Sequence, residues 1–196
     1  YQRAKRGIDV VGALALLSLL GPIMLVIYAV LWVTTGGRPL YRQVRIGYRG
    51  RPFTMLKFRT MRIDADRVQH TVSNEKDEPV FKNRRDPRIT RIGRWLRKTS
   101  LDETPQLVNV LRGEMSLVGP RPPIGQEVAK YQPWQRRRLA VKPGLTCLWQ
   151  VSGRSEVDFA NWVRMDLWYV LNQTLWNDLV LLFRTPLSVL TCRGAY

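Results

Sequence analysis

Ile8-Asp9-Val10-Val11-Gly12-Ala13-Leu14-Ala15-Leu16-Leu17-Ser18-Leu19-Leu20-Gly21-Pro22-Ile23-Met24-Leu25-Val26-Ile27-Tyr28-Ala29-Val30-Leu31-Trp32-Val33-Thr34-Thr35 is a run of 28 residues whose only charge is Asp9. At ~1.5 Å rise per residue it is long enough to cross a hydrocarbon core of ~30 Å. A signal peptide would have a shorter apolar region and a small-residue cleavage site. A helix buried in a soluble core is rarely apolar on every face. Insertion into a membrane is therefore expected. Gly21-Pro22 falls near the centre, where proline removes one backbone bond and crowds the preceding turn, which predicts a sharp kink. Ser18 is placed to help satisfy the freed carbonyl. Arg3, Lys5 and Arg6 precede the run, and Arg38, Arg42 and Arg45 follow it. A spanning helix favours charge asymmetry. Basic residues at both ends suit a kinked, re-entrant hairpin whose two ends emerge on the cytoplasmic face. A kinked spanning helix is the alternative.

The remainder must fit that start. The chain has 196 residues, net charge +17 and 45% hydrophobic residues. It is long enough to bury a fair core and too apolar for a disordered basic tail. The charge predicts an anionic partner: nucleic acid, acidic lipid or a phosphorylated substrate. Nucleic acid would leave the apolar run unexplained, and no helix-turn-helix or RNA-recognition pattern is present. His70 is the only histidine, and Cys147 and Cys192 lie far apart, which argues against zinc and against a disulfide framework. The chain opens at Tyr1 rather than Met, so we expect the C-terminal part of a longer protein.

Lys98-Thr99-Ser100-Leu101-Asp102-Glu103-Thr104-Pro105-Gln106 carries two adjacent carboxylates between an arginine-rich segment and an apolar helical pattern. Acids favour the first turn of a helix, and Ser100 to Glu103 has capping-box spacing. Thr104 as N-cap with Pro105 at the first helical position is equally compatible, and leaves Asp102 and Glu103 in a turn outside the helix. A chemical reading stands beside the structural one. A carboxylate can attack phosphorus, and its neighbour can hold Mg²⁺ together with substrate phosphates.

Residues 38–61 read as a β-hairpin: Leu40 to Ile46, a turn at Gly47-Tyr48-Arg49-Gly50, and a return from Pro52 to Met61. Alternation puts Lys57 and Arg59 on one face, either as a solvated strand face or as phosphate ligands. Residues 63–86 read as a polar surface insertion, and 87–98 as a basic amphipathic helix with Trp95, suited to a membrane surface or to the core. In Gly119-Pro120-Arg121-Pro122-Pro123 the prolines fix the backbone around one arginine. Residues 124–141 look helical apart from Pro133, 142–146 read as a turn, and Leu148-Trp149-Gln150-Val151 as a strand followed by a glycine turn presenting Arg154. Two helical patterns close the chain. One contains Asp166, and the other contains Asp178 and a break at Pro186. The fold class expected is α+β, mainly helical, with a re-entrant membrane helix over 1–36 and a cytoplasmic catalytic domain over 37–196.

Lys57-Phe58-Arg59-Thr60-Met61, Thr99-Ser100-Leu101-Asp102-Glu103, Asn109-Val110-Leu111-Arg112-Gly113, Ser116-Leu117-Val118-Gly119-Pro120-Arg121-Pro122, Lys142-Pro143-Gly144-Leu145-Thr146 and Trp149-Gln150-Val151-Ser152-Gly153-Arg154 together resemble the bacterial sugar transferases, monotopic phosphoglycosyl transferases. The resemblance runs through the whole chain in order. Any one motif is weak, and the ordered set is specific. It implies a catalytic dyad at Asp102 and Glu103, a Mg²⁺ requirement and a re-entrant helix at the bacterial inner membrane. It further implies transfer of a sugar phosphate from a nucleotide-diphosphate sugar, such as a UDP-sugar, to polyprenyl phosphate, releasing the nucleoside monophosphate. A homodimer is compatible with it. Cys147 stands where the family usually has glycine after its Gly-Leu-Thr turn.

On this reading Asp102 is the nucleophile, and Glu103 with Asp102 holds Mg²⁺. Lys57, Arg59, Arg121 and Arg154 contact phosphate, Asp166 and Asp178 are secondary candidates for metal or substrate orientation, and His70 has no role. Anionic inner-leaflet lipids and phosphorylated substrates, not nucleic acid, account for the charge. A non-catalytic basic scaffold on the membrane surface is the rival.

Overall fold

The computed structural model describes residues 1–68, 72, 74–75, 83, 85–153 and 157–190. The apolar run forms one helix, α1 (Gln2–Thr34), which continues through Gly21 and Pro22 without separating into two. Proline removes a single ladder bond, and the turns on either side carry the helix past it. Only Asp9, Ala13, Ile27 and Leu31 of α1 are buried. Val11, Leu14, Leu19, Ile23, Leu25, Val26, Val30 and Val33 are exposed. Among the described residues α1 is the one helix long and apolar enough to cross a membrane.

The hairpin forms as its alternation predicts. β1 (Leu40–Ile46) and β2 (Pro52–Phe58) are antiparallel, with Tyr41 opposite Lys57 and Arg45 opposite Phe53. A 3₁₀ turn at Tyr48–Gly50 joins them, with Arg49 in the left-handed region. The basic helix is shorter than its pattern suggested. α2 (Arg91–Lys98) begins after Thr90, whose hydroxyl caps Gly93 N at 2.9 Å, while Ile89 pairs with Met61 in an isolated bridge. Gly93 is where α2 meets the chain after β2. A Cβ there would lie 1.9 Å from Thr60 O, so no other residue allows this approach.

Asp102 and Glu103 fall outside any α-helix. Leu101–Glu103 is a 3₁₀ turn entered through Ser100 at φ 57, and α3 (Gln106–Arg112) follows from Pro105. Gly113, at φ 79, ends α3. β3 (Ser116–Val118) and β4 (Gly144–Thr146) form a parallel pair, so the expected turn over 142–146 contains a strand. The two backbones approach so closely that a Cβ on Gly144 would sit 2.0 Å from Gly119 N. Between them, the single helical pattern over 124–141 is divided into α4 (Gly125–Ala129), α5 (Pro133–Arg136) and a 3₁₀ segment at Arg137–Ala140. Pro133 forces the division by holding Gln132 extended.

The run expected as a strand after Cys147 is a helix, α6 (Leu148–Ser152). A short apolar run does not separate strand from helix by periodicity. Packing decides it here, with the Trp149 and Trp162 rings 4.3 Å apart. α7 (Phe159–Leu171) is capped by Asp158, and α8 (Leu175–Leu190) passes through Pro186 without the expected break. Among the described residues the fold is thus a mainly helical α+β body with two small sheets and one long apolar helix lying against it.

Both ends of α1 are fastened to this body. Ala13 packs with Leu107, Val110, Leu117 and Leu181. Ile27 and Leu31 pack with Phe58 and Leu96. Asp9 accepts hydrogen bonds from Ser116 Oγ and Leu117 N, each at 2.9 Å. Arg6 donates to the terminal carbonyls of α3, Val110 O at 2.6 Å and Leu111 O at 2.7 Å. A cation at a helix C-terminus also meets the negative end of its dipole.

Candidate active site

The turn at Leu101–Glu103 is held from both sides. Behind it, Thr104 Oγ1 donates to Leu101 O at 2.8 Å. Ahead of it, α3 is locked onto β2 by Asn109, whose side chain accepts from Leu56 N at 3.1 Å and donates to Thr54 O at 2.8 Å. Asn109 is fully buried and occupies the backbone edge a third strand would have used. The lock brings Lys57, the next residue along β2, against the turn. Its Nζ donates to Glu103 Oε1 at 2.6 Å, with both side chains about a quarter exposed.

The two adjacent carboxylates differ. Burial pushes Asp102 up to about 6, against the opposing pull of Lys57 and Arg97. Glu103 is drawn below the ordinary carboxylate range by Lys57, with Arg121 and Arg45 adding to it and overcoming the effect of burial. The pair titrates as a unit, with Glu103 the more acidic member.

Arg121 reaches this field from the loop after β3. Its guanidinium is 3.6 Å from Glu127 Oε1 and lies over the Trp162 ring, 5.2 Å from the centroid. Arg59 points elsewhere. It donates to Arg38 O at 2.8 Å and lies over Tyr41. Arg154 and His70 lie outside the described residues. Asp166 is buried against Arg138. Asp178 is buried at the foot of α1, bonded to Tyr169 OH at 2.6 Å, Tyr1 OH at 2.8 Å and Lys5 Nζ at 3.0 Å. The structure thus groups Asp102, Glu103 and Lys57, with Arg121 in their field. It sets Arg59, Asp166 and Asp178 in other surroundings.

Three functional candidates carried no weight in the sequence. Arg97 faces Asp102 electrostatically and donates from Nε to Thr60 Oγ1 at 3.0 Å. Arg45 is buried and, among the described residues, donates to Gln43 Oε1 and Pro122 O rather than to a carboxylate. Asn109 was part of a motif but had no role. An arginine on the inward face of a strand and an asparagine inside an apolar helix are the signals that could have found the last two.

Among the described residues no cluster of three or more His, Cys, Asp or Glu forms a metal cage. Mg²⁺ does not need one, since it is commonly held by one or two carboxylates plus substrate phosphates and waters. Glu103, bound by Lys57 through Oε1 alone, and Asp102 fit that mode of binding.

The bacterial sugar transferase family model matches residues 1–192. The chain is 49% identical to the UDP-galactose-lipid carrier transferase of Erwinia amylovora over 98% of its own length and 41% of that protein. It is 45% identical to the undecaprenyl-phosphate galactose phosphotransferase of Salmonella typhimurium, again over 98% of its length and 41% of the relative. It is 40% identical to the UDP-glucose:undecaprenyl-phosphate glucose-1-phosphate transferase of Caulobacter vibrioides, over 98% of its length and 72% of that protein. The chain therefore spans about two fifths of the first two relatives and most of the third. With the family model covering nearly all of its residues, the chain belongs to the bacterial sugar transferase family.

Proposed function

We propose that this chain transfers a hexose-1-phosphate from a UDP-sugar to undecaprenyl phosphate, giving the undecaprenyl diphosphate sugar and UMP as the first membrane step of a polysaccharide. The observation that carries the reading is the Asp102–Glu103 turn, with Asp102 buried and cations around the pair, on a body to which both ends of a long apolar helix are fastened.

Asp102, ionised above pH about 6, attacks the sugar-bearing phosphorus. The phosphorus–oxygen bond to UMP breaks, and UMP leaves with that electron pair. An oxygen of undecaprenyl phosphate then attacks the phosphosugar–aspartyl intermediate, and Asp102 leaves as a carboxylate. Lys57 keeps Glu103 ionised and, with Arg97 and Arg121, offsets the repulsion between an anionic nucleophile and an anionic diphosphate. Mg²⁺, held by Glu103 and Asp102, would supply Lewis-acid neutralisation of phosphate charge.

The fastening of α1 supports the helix reading. Asp9 and Leu31 are 22 residues apart, ~33 Å of helix, yet both contact the same body. A spanning helix with the body on one side would carry one of these ends away from it. This supports a helix embedded from the cytoplasmic face of the inner membrane, with 1–36 as membrane element and 37–196 as catalytic domain. It would place the dyad at head-group depth, where the lipid phosphate resides.

The test is UMP release from UDP-glucose and UDP-galactose with undecaprenyl phosphate and Mg²⁺, compared with Asp102→Asn. We expect turnover that requires the lipid and falls at least ~10³-fold in the variant, of the order seen when a reacting group is removed. Full activity in Asp102→Asn would eliminate the covalent route.

A further inference from the structure

The loop Pro120-Arg121-Pro122-Pro123 contains three residues with no backbone N–H, so it has almost nothing with which to hold its own shape. Its four carbonyls are instead gripped from outside. Gly144 N donates to Pro120 O at 2.9 Å, and Ile46 N to Pro123 O at 2.8 Å. The other two donors are buried arginines. Arg45 donates to Pro122 O at 2.9 Å and Arg138 to Arg121 O at 3.2 Å.

Arg138 is itself held through both terminal nitrogens of its guanidinium. It bonds Asp166 and Tyr131 OH, the latter at 2.8 Å. Its guanidinium lies over the Trp162 ring at 5.4 Å from the centroid, and the same ring carries Arg121 at 5.2 Å. The Arg138–Asp166 pair is almost fully shielded from water. Buried pairs of this kind are often replaceable by apolar residues with no loss of stability, so their use is better sought in what they orient.

We propose that Asp166 is a positioning residue: through Arg138 it fixes the carbonyl of Arg121, and so sets the direction in which the Arg121 guanidinium meets a diphosphate. The proposal rests on the reading that Arg121 contacts substrate phosphate. Asp166 then acts on ground-state capture of the nucleotide sugar, and Asp102 on the chemical step.

The experiment is a double-mutant cycle on the whole chain in lipid nanodiscs, reading KM and kcat for whichever of UDP-glucose and UDP-galactose turns over. Arg121→Ala should raise KM about ten-fold or more. Asp166→Asn should raise KM about ten-fold with kcat within about three-fold, and should add less than two-fold in the Arg121→Ala background. Tyr131→Phe, which removes a hydrogen bond to Arg138 while keeping the ion pair, should give a smaller rise that also disappears without Arg121. An equal Asp166→Asn effect in both backgrounds, or a lower Tm with KM unchanged in either variant, would overturn the proposal and leave Asp166 a core residue. An Arg121→Ala enzyme with unchanged KM and kcat would instead defeat the phosphate-contact reading beneath it.

Discussion

Asp102, the proposed nucleophile, is buried at a cost. Its carboxyl is raised to about 6 chiefly by burial, so the folded state binds its proton more tightly than the unfolded chain does. The stability linked to that proton is fully present below the unfolded value near 4 and is lost as pH rises through about 6. Activity runs the opposite way, because attack needs the anion. We expect kcat/KM to fall below pH about 6, while Asp102→Asn, inactive, unfolds at higher temperature than the parent at pH 8. The gain should be of order 1–3 kcal/mol in metal-free buffer. Lys57 pulls both carboxylates down, so Lys57→Met should shift the acid limb of the pH profile upward by about one unit. An unmoved limb would mean that Lys57 does not act on the dyad. None of this was legible in the sequence beyond the identity of the acids. Ser100 at capping-box spacing and Pro105 at an N1 spacing left the local backbone open. The structure resolves it with Ser100 at φ 57, a strained conformation for a residue with a Cβ.

At the scale of elements, the active turn is only as well placed as α3, and α3 depends on Asn109. Asn109→Ala leaves Leu56 N and Thr54 O without their present partner. The expected loss is about 1–3 kcal/mol in denaturant unfolding, together with weaker coupling between Lys57 and Glu103. Gly93→Ala should be worse, since the added carbon meets Thr60 backbone rather than a movable side chain. It should displace α2, and with it Arg97. The hairpin was readable because alternation and turn residues agree. α6 was misread because three apolar residues in a run of four fit either period, and the pairing of Trp149 with Trp162 is non-local. β4 was misread as a turn because Pro143 and Gly144 carry turn chemistry, whereas Gly144 is used for close approach to Gly119. The Pro186 break was overcalled, since one lost ladder bond does not end a helix whose neighbours pack well.

For the whole molecule, the apolar run and the basic surplus were plain from composition. Charge at both ends of α1 suited emergence on one face, with a spanning helix as the alternative, and the contacts of Asp9 with β3 and of Leu31 with the region around α2, which support the first, were not legible. A direct measurement is available. In a background with Cys147 and Cys192 replaced, single cysteines at Arg3 and at Gly37 should both react with an impermeant maleimide from the same face of oriented vesicles. Labelling from opposite faces would establish a spanning helix.

The two-ended fastening of α1 also bears on how the protein reaches its place. Lys5 and Arg6 are bonded to the body, and Arg42 and Arg45, beyond the other end of the helix, lie in β1. In the proposed embedding none of these charges would have to cross hydrocarbon, where an unpaired charge is costly. Embedded in the proposed way, the helix would enter from the side on which the body lies, with burial of its exposed apolar face as the force that holds it there.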